Sequence, residues 1–235
     1  DMNTTADKAT LQTMMEAACH FGHRVSKWNP KMRRYIHGSR NGVHVIDLVK
    51  SYQALQKAMK FLTDEVAKGK TVLLVCTKLQ AKRLMEEVAQ KTKMPYVATK
   101  WIPGLLTNYK TLRKRINYLR DLKEKEANGD FERYTKKEAS ELRKTIAKLQ
   151  ARLGGVENMT KVPDILVVGD GVRDINAIRE ARTLAIPIVG IVDSNADPDV
   201  MDFPVPGNDD AIKSLTFFMT QFAEAIDQGK MNNLA

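Results

Sequence analysis

The densest mixture of residues able to do chemistry lies between His20 and Asp47, in HFGHRVSKWNPKMRRYIHGSRNGVHVID. That stretch holds all four histidines and the cations Arg24, Lys27, Lys31, Arg33, Arg34 and Arg40, with Phe21, Trp28 and Tyr35 among them. Cations neutralise phosphate and flat rings offer stacking surfaces, so this mixture suits RNA with unpaired bases. A solvated basic loop with aromatic plugs gives the same composition. From His20 to Gly42 the apolar residues keep neither a period of 2 nor one of 3.6, which predicts an ordered but irregular loop.

Three other groups carry possible chemistry. Gly169-Asp170-Gly171-Val172-Arg173-Asp174 is most of a G-x-G-x-x-G fingerprint, and Asp193 ends the next strand about 20 residues on. A nucleotide- or Mg²⁺-dependent enzyme would use this turn and Asp193. However, Asp174 stands where the third glycine belongs, and its carboxylate would meet the pyrophosphate. Asp193, Asp197, Asp199 and Asp202 crowd after a strand, where Mg²⁺ or a phosphoryl group could lie, although such loops more often form turns and caps. Cys19, His20 and His23 could open a zinc site, but no second ligand pair with standard spacing follows. We therefore expect no metal and no cofactor. No P-loop, Ser-His-Asp or G-x-S-x-G arrangement is present, and no catalytic residues are assigned.

Composition narrows the classes further. The 235 residues are enough for one large or two small domains. No apolar run reaches the roughly 18 residues of a membrane span, and no signal peptide is evident. Two cysteines are too few for a disulfide framework, which fits a reducing compartment. The formal charge of +10 is uneven. Residues 1–160 carry 32 Lys+Arg against 16 Asp+Glu, a net +16, whereas 161–235 carry 6 against 12, a net −6. A polyanion for the first part and a protein neighbour for the acidic third are the expectations.

The elements that must position these residues follow from periodicity. A short amphipathic helix is expected over 8–19, then a strand at 43–47 and a long helix bearing Tyr52, Leu55, Met59, Leu62 and Val66. TVLLVCT at 71–77 reads as a buried strand, 78–91 as a helix and 96–99 as a strand. Beyond an interruption, strands at 164–169, 187–193 and 203–206 alternate with helices, the last capped by Asn208. Strand–helix alternation predicts an α/β fold with a parallel sheet covered on both faces. The interruption runs from Asn108 to Leu153: Leu112, Ile116 and Leu119, then Leu142, Ile146, Leu149 and Leu153, step by 3 and 4 as coiled-coil seams do. Asn128-Gly129-Asp130 breaks it, and Thr135 with Glu138 forms a capping box. We therefore expect an antiparallel hairpin at 105–153 inserted into a sheet domain of 1–104 and 154–235. Its outer faces carry Lys110, Arg113, Lys114, Arg115 and Arg120, then Lys136, Lys137, Arg143 and Lys144.

Several segments together resemble one family, the bacterial-type small-subunit ribosomal protein number two. They are HFGH at 20–23, WNPKM at 28–32, RNGVHVIDL at 40–48, LLTNYKTLRKRI at 105–116, LGGVENM at 153–159, PDILVV at 163–168 and IREARTLAIPIVGIVDSNADPDVMDFPVPGNDDAI at 178–212. The resemblance implies a flavodoxin-like sheet with a protruding coiled-coil hairpin. It also implies a non-catalytic constituent of the small ribosomal subunit, cytoplasmic or organellar. Such a protein binds small-subunit ribosomal RNA, contacts neighbouring ribosomal proteins and helps dock the messenger-binding protein number one. It is neither membrane-bound nor a homo-oligomer. Two positions depart from the family: Pro103 stands where glycine is usual, and Ala17-Ala18-Cys19 replaces Ala-Gly-Val. The residues expected at RNA are Arg24, Lys27, Trp28, Lys31, Arg33, Arg34 and Arg40. A second set, at the hairpin base, comprises Lys100, Trp101, Asn108, Lys110, Arg113, Lys114 and Arg115. An RNA-binding regulator outside the ribosome would share this chemistry.

Overall fold

The structure, a computed structural model, describes residues 5–234. Five short strands form a parallel sheet: β4 (Val72–Val75), β5 (Tyr96–Val97), β6 (Ile165–Val168), β7 (Ile188–Val192) and β8 (Phe203–Pro206). Their order is β5-β4-β6-β7-β8, so the chain runs outward one way from β4 to β5 and then the other way from β6 onward. This is the flavodoxin-like order, whose reversal opens a crevice beyond the carboxyl ends of β4 and β6.

Every residue of β4, β6 and β7 is buried, as expected of strands covered on both faces. Alternation divides them between two cores. Val72, Leu74, Ile165, Val167, Val189 and Ile191 pack with α2 (Leu48–Ala67), α3 (Lys82–Thr92) and α7 (Ile212–Leu234). Leu73, Val75, Leu166, Val168, Ile188 and Val192 face α6 (Ile175–Thr183) and the start of the helical insertion. Asp47 caps α2 by accepting from Val49 and Lys50, and Asn208 accepts from Asp210 and Ala211 ahead of α7.

The insertion is two helices, α4 (Tyr109–Ala127) and α5 (Lys136–Leu153), the second starting in the Thr135/Glu138 capping box. The first arm buries Leu112, Ile116 and Leu119 in the same core as Leu73 and Leu166. On the second arm Leu142, Ile146 and Leu149 are only half-buried. Arg143 meets Glu126 at 2.9 Å across the two arms.

Two expectations need correction. The stretch from His20 to Gly42 is not an irregular loop, and the strand at 43–47 is not part of the parallel sheet. Instead β1 (Phe21–Arg24), β2 (Ile36–Arg40) and β3 (Val43–Ile46) form a separate antiparallel sheet of order β1-β3-β2, with helical turns at Val25–Lys27 and Pro30–Tyr35 between the first two strands. The physical reason is that both outer strands shift register against β3, and their exposed positions mix Phe21, Arg24, His37, Gly38, Ser39 and Arg40. A bulge adds one residue to the strand, so the period of 2 cannot survive in the sequence. The opening helix, α1, spans Thr5–Glu16, about one turn earlier than its apolar spacing indicates.

Candidate nucleic-acid interface

The crevice at the strand reversal is filled by the protein itself. Lys78, just beyond β4 and 7% exposed, places Nζ 3.1 Å from Asp170, 2.6 Å from Asp209 and 2.8 Å from Asp210. Burial works against its charge, but the Asp209 and Asp210 carboxylates outweigh this and raise its pKa. Burial, with the Asp170 and Asp193 charges, pushes the Asp209 carboxyl up to about 7.

The fingerprint turn is likewise satisfied internally. Asp170 Oδ1 accepts from the backbone N–H groups of Val172 and Arg173, both at 2.8 Å, which are the donors a phosphate would need. Asp174 accepts from the Thr77 hydroxyl at 2.6 Å and the Thr77 N–H at 3.1 Å, and burial pushes its carboxyl up to about 6. Lys78 was missed in the sequence because nothing marks one lysine after an apolar strand as buried.

The proposed aspartate cluster does not gather into one site. Asp193 receives N–H bonds from Ser194 and Asp209, Asp197 and Asp199 face Lys31, and Asp202 accepts from Ile188 N at 2.8 Å. Nor do Cys19, His20 and His23 converge. Cys19 is fully buried and its thiol is pushed up to about 11 by burial, while His20 lies against the Phe21 ring. His23 instead sits between Asp193 and Asp210, at 3.2 and 3.3 Å, and the Asp193 carboxylate raises its pKa. His23, Asp193 and Asp209 offer ligand atoms within 4.8 Å of one another, the one set of three among the described residues close enough together that it could hold a metal ion.

This buried network fastens the antiparallel sheet to the parallel one. Gly22 lies so close to β7 that a Cβ there would come within 2.8 Å of Ser194 Oγ. The same Oγ accepts from His23 N at 2.8 Å, and Ser194 O accepts from Asn29 N at 2.7 Å. Asn208 bonds the carbonyls of Ala18 and Cys19, each at 3.0 Å. The segment that carries the cations is therefore held by main-chain bonds at its root.

The expected RNA residues now separate. Lys31 is tied to Asp197 at 2.7 Å and Asp199 at 3.3 Å, and Arg34 to Asp199 at 2.6 Å. Those carboxylates raise the pKa of both cations. Their first task is to hold the turn at 30–35 against the turn at Pro198–Val200. Arg24, Lys27, Arg33 and Arg40 are exposed and, among the described residues, form no ion pair. Trp28 is 38% exposed and lies 5.3 Å from the His44 ring.

At the hairpin base the correction is larger. Trp101 is 7% exposed and donates Nε1–H to Glu180 at 2.9 Å, so it anchors the turn and presents no stacking face. Glu180 also accepts from the N–H groups of Gly104, Leu106 and Thr107 and from the Thr107 hydroxyl. Burial opposes that charge, but these donors hold its pKa below the ordinary range. Pro103 suits its place: Leu105 N bonds Ile102 O at 3.0 Å and Gly104 has φ +88°, the geometry of a turn with Pro second and Gly third. Lys100, Asn108, Lys110, Lys114 and Arg115 are exposed, and Arg113 spends one N–H on Thr160 O at 3.1 Å.

A family model described as ribosomal protein S2 matches residues 14–229. The chain belongs to the ribosomal protein S2 family. The small ribosomal subunit protein uS2 of Synechocystis sp. is 44% identical over 94% of this chain and 82% of its own length. That of Trichormus variabilis is also 44% identical, over 96% and 85%. The uS2c protein of Cyanophora paradoxa is 44% identical over 94% of each chain. A member of the S2 family is a structural constituent of the small ribosomal subunit, not an enzyme, and works in translation within cytoplasmic or organellar ribosomes. No described helix is long and apolar enough to cross a membrane.

Proposed function

We propose that the chain binds small-subunit ribosomal RNA through two basic surfaces on one rigid frame. The first is Arg24, Lys27, Arg33 and Arg40 with Trp28 on the antiparallel sheet and its turns. The second is Lys100, Asn108, Lys110, Arg113, Lys114 and Arg115 at the root of a protruding coiled-coil arm over 105–153. Lys31 and Arg34 contribute field and hold the frame. The observation that carries this reading is that Arg24, Lys27, Arg33 and Arg40, with Lys100, Lys110, Lys114 and Arg115, are exposed and form no ion pair among the described residues, while neighbouring Lys31 and Arg34 are tied to aspartate. Phosphate contact at such sites fixes position, and shape selects the RNA more than base edges do.

Support for docking of the messenger-binding ribosomal protein number one is part of the same proposal. The acidic C-terminal third offers a partner less outward negative charge than its sequence implies, because Asp170, Asp174, Asp193 and Asp209 are buried. The experiment is sucrose-gradient sedimentation of lysate carrying the tagged chain in low and high Mg²⁺. Near one copy per small subunit is expected for the parent, with protein number one alongside. Depletion is expected when Lys110, Lys114 and Arg115 become alanine together. A parent chain that stays at the top of the gradient would overturn the proposal.

A further inference from the structure

The antiparallel sheet has an outer face that no core covers among the described residues. Across the strand order β1-β3-β2, Arg24 and Arg40 both pair with Val43, and Phe21 and Gly38 both pair with Val45. Residues paired across neighbouring strands project to the same side. The extra residue between Phe21 and Arg24 keeps both of them on that side, despite a spacing of three. One row of the face therefore reads Arg24–Val43–Arg40, with the next row reading Phe21–Val45–Gly38.

The two sides of the sheet have opposite fates. Ile46, on the reverse side, is 1% exposed, and Gly22 is pressed against Ser194. On the outer side Phe21 is 45% exposed, Arg24, Gly38 and Arg40 are exposed, and Val43 and Val45 are half-buried. Neither Phe21, Val43 nor Val45 joins a hydrophobic cluster among the described residues. With one strand between them, the Arg24 and Arg40 backbones stand about 10 Å apart. Gly38 leaves space beside Val45, since a Cβ there would meet nothing within 4 Å.

We propose that this outer face seats unpaired RNA nucleotides, a base lying on the Phe21 ring and the flanking phosphates meeting Arg24 and Arg40. An open apolar strip with an aromatic ring, bracketed by two unpaired arginines, complements a single-stranded polyanion with flat bases. A duplex would offer the ring no exposed base face, and a protein partner would leave the arginine pair unmatched unless it were acidic. The inference rests on the RNA-binding reading and adds to it a ring, a face and a preference for unpaired over paired RNA. Trp28 is not the central platform, because it packs beside His44 on the reverse side.

The test measures binding of the full chain to a mixed-sequence single-stranded RNA dodecamer and to a duplex of equal length by fluorescence anisotropy. Phe21→Ala is expected to weaken the dodecamer about fivefold or more and to leave the duplex unchanged, with Phe21→Trp restoring affinity. Arg24→Gln with Arg40→Gln should lower the log–log salt slope for the dodecamer by about 1.4, at roughly 0.7 per phosphate contact. If the parent binds both RNAs and these variants bind like the parent, the seat is wrong while the RNA-binding reading stands. A parent that binds neither RNA overturns both. If Phe21→Ala is excluded from small subunits with unchanged RNA affinity, the face belongs to a protein neighbour and the seat is overturned.

Discussion

Ala18 offers a sharp check on the link between sequence and backbone. It closes α1 with φ +60°, while Cys19 N bonds Met14 O and Ala18 N bonds Met15 O, both at 3.0 Å. That pair of bonds is a Schellman cap with Ala18 at the position that glycine normally takes. The residue cannot relax, because its carbonyl accepts from Asn208 Nδ2 at 3.0 Å and Phe21 N at 3.4 Å. The family resemblance puts glycine at this place. An L-residue in the left-handed region costs about 1–2 kcal/mol, and glycine's extra chain entropy returns about 0.5–1 kcal/mol of that. Ala18→Gly should therefore stabilise the fold by about 0.5–1 kcal/mol, a rise in Tm of about 1–4 °C for a chain of this size. Ala9→Gly, an exposed position inside α1, should have the opposite sign, with a loss of about 1 kcal/mol. Both are read by calorimetry or circular dichroism under reversible conditions. If Ala18→Gly leaves Tm unchanged or lowers it while Ala9→Gly behaves as stated, the strain argument is refuted.

Three further outcomes follow from the site. Lys78→Met leaves Asp170 and Asp209 buried without their cation and should cost about 3–5 kcal/mol in urea titration, whereas restoring the charge with arginine should recover little because Lys78 sits in a closed space. Glu180→Gln keeps the shape but weakens five hydrogen bonds to the turn before α4, with an expected loss of about 1–3 kcal/mol and blue-shifted or broadened Trp101 fluorescence. Asp174 has a folded pKa raised from 3.8 to about 6, so its protonated form favours the fold: that contribution is full below pH 4 and lost as pH rises through 6. Asp174→Asn should then flatten the stability profile between pH 4 and 6, and an unchanged profile from thermal melts at stepped pH would count against the raised pKa.

Much of the frame was legible because apolar runs and caps are local. TVLLVCT and DILVVG announce strands buried on both faces, and Thr135 with Glu138 announces the start of α5. The antiparallel sheet was hidden because a register shift in each outer strand and exposed positions that mix Phe, Arg, His, Gly and Ser erase alternation. Trp101 was misplaced because a tryptophan beside Lys100 resembles a stacking platform, while its partner Glu180 lies 79 residues away. The same distance problem hid the pairs of Lys31 and Arg34 with Asp197 and Asp199, more than 160 residues on. The candidate cations could be named from the sequence, but which of them remain free is a fact of tertiary pairing.

That pairing also explains why a fold built around a ligand crevice belongs to a protein without a catalytic task. In the flavodoxin-like order the reversal between β4 and β6 leaves backbone donors and a concavity for a ligand. Here Asp170 takes the donors, Lys78 supplies the cation, and Asp209 and Asp210 bring in the start of α7. His23 and Ser194 then attach the antiparallel sheet to the same point. The energy a ligand would have gained is spent on joining three parts of the chain that are far apart in sequence. The crevice thereby becomes a rigid joint that sets the position of β1–β3, the rows on which the proposed RNA contacts lie. A change at the joint should therefore loosen the antiparallel sheet and its arginine rows, whereas the base of α4, held separately by Glu180, should keep its place. Fold alone does not license an activity, and in this chain the side chains at the strand reversal are engaged with one another.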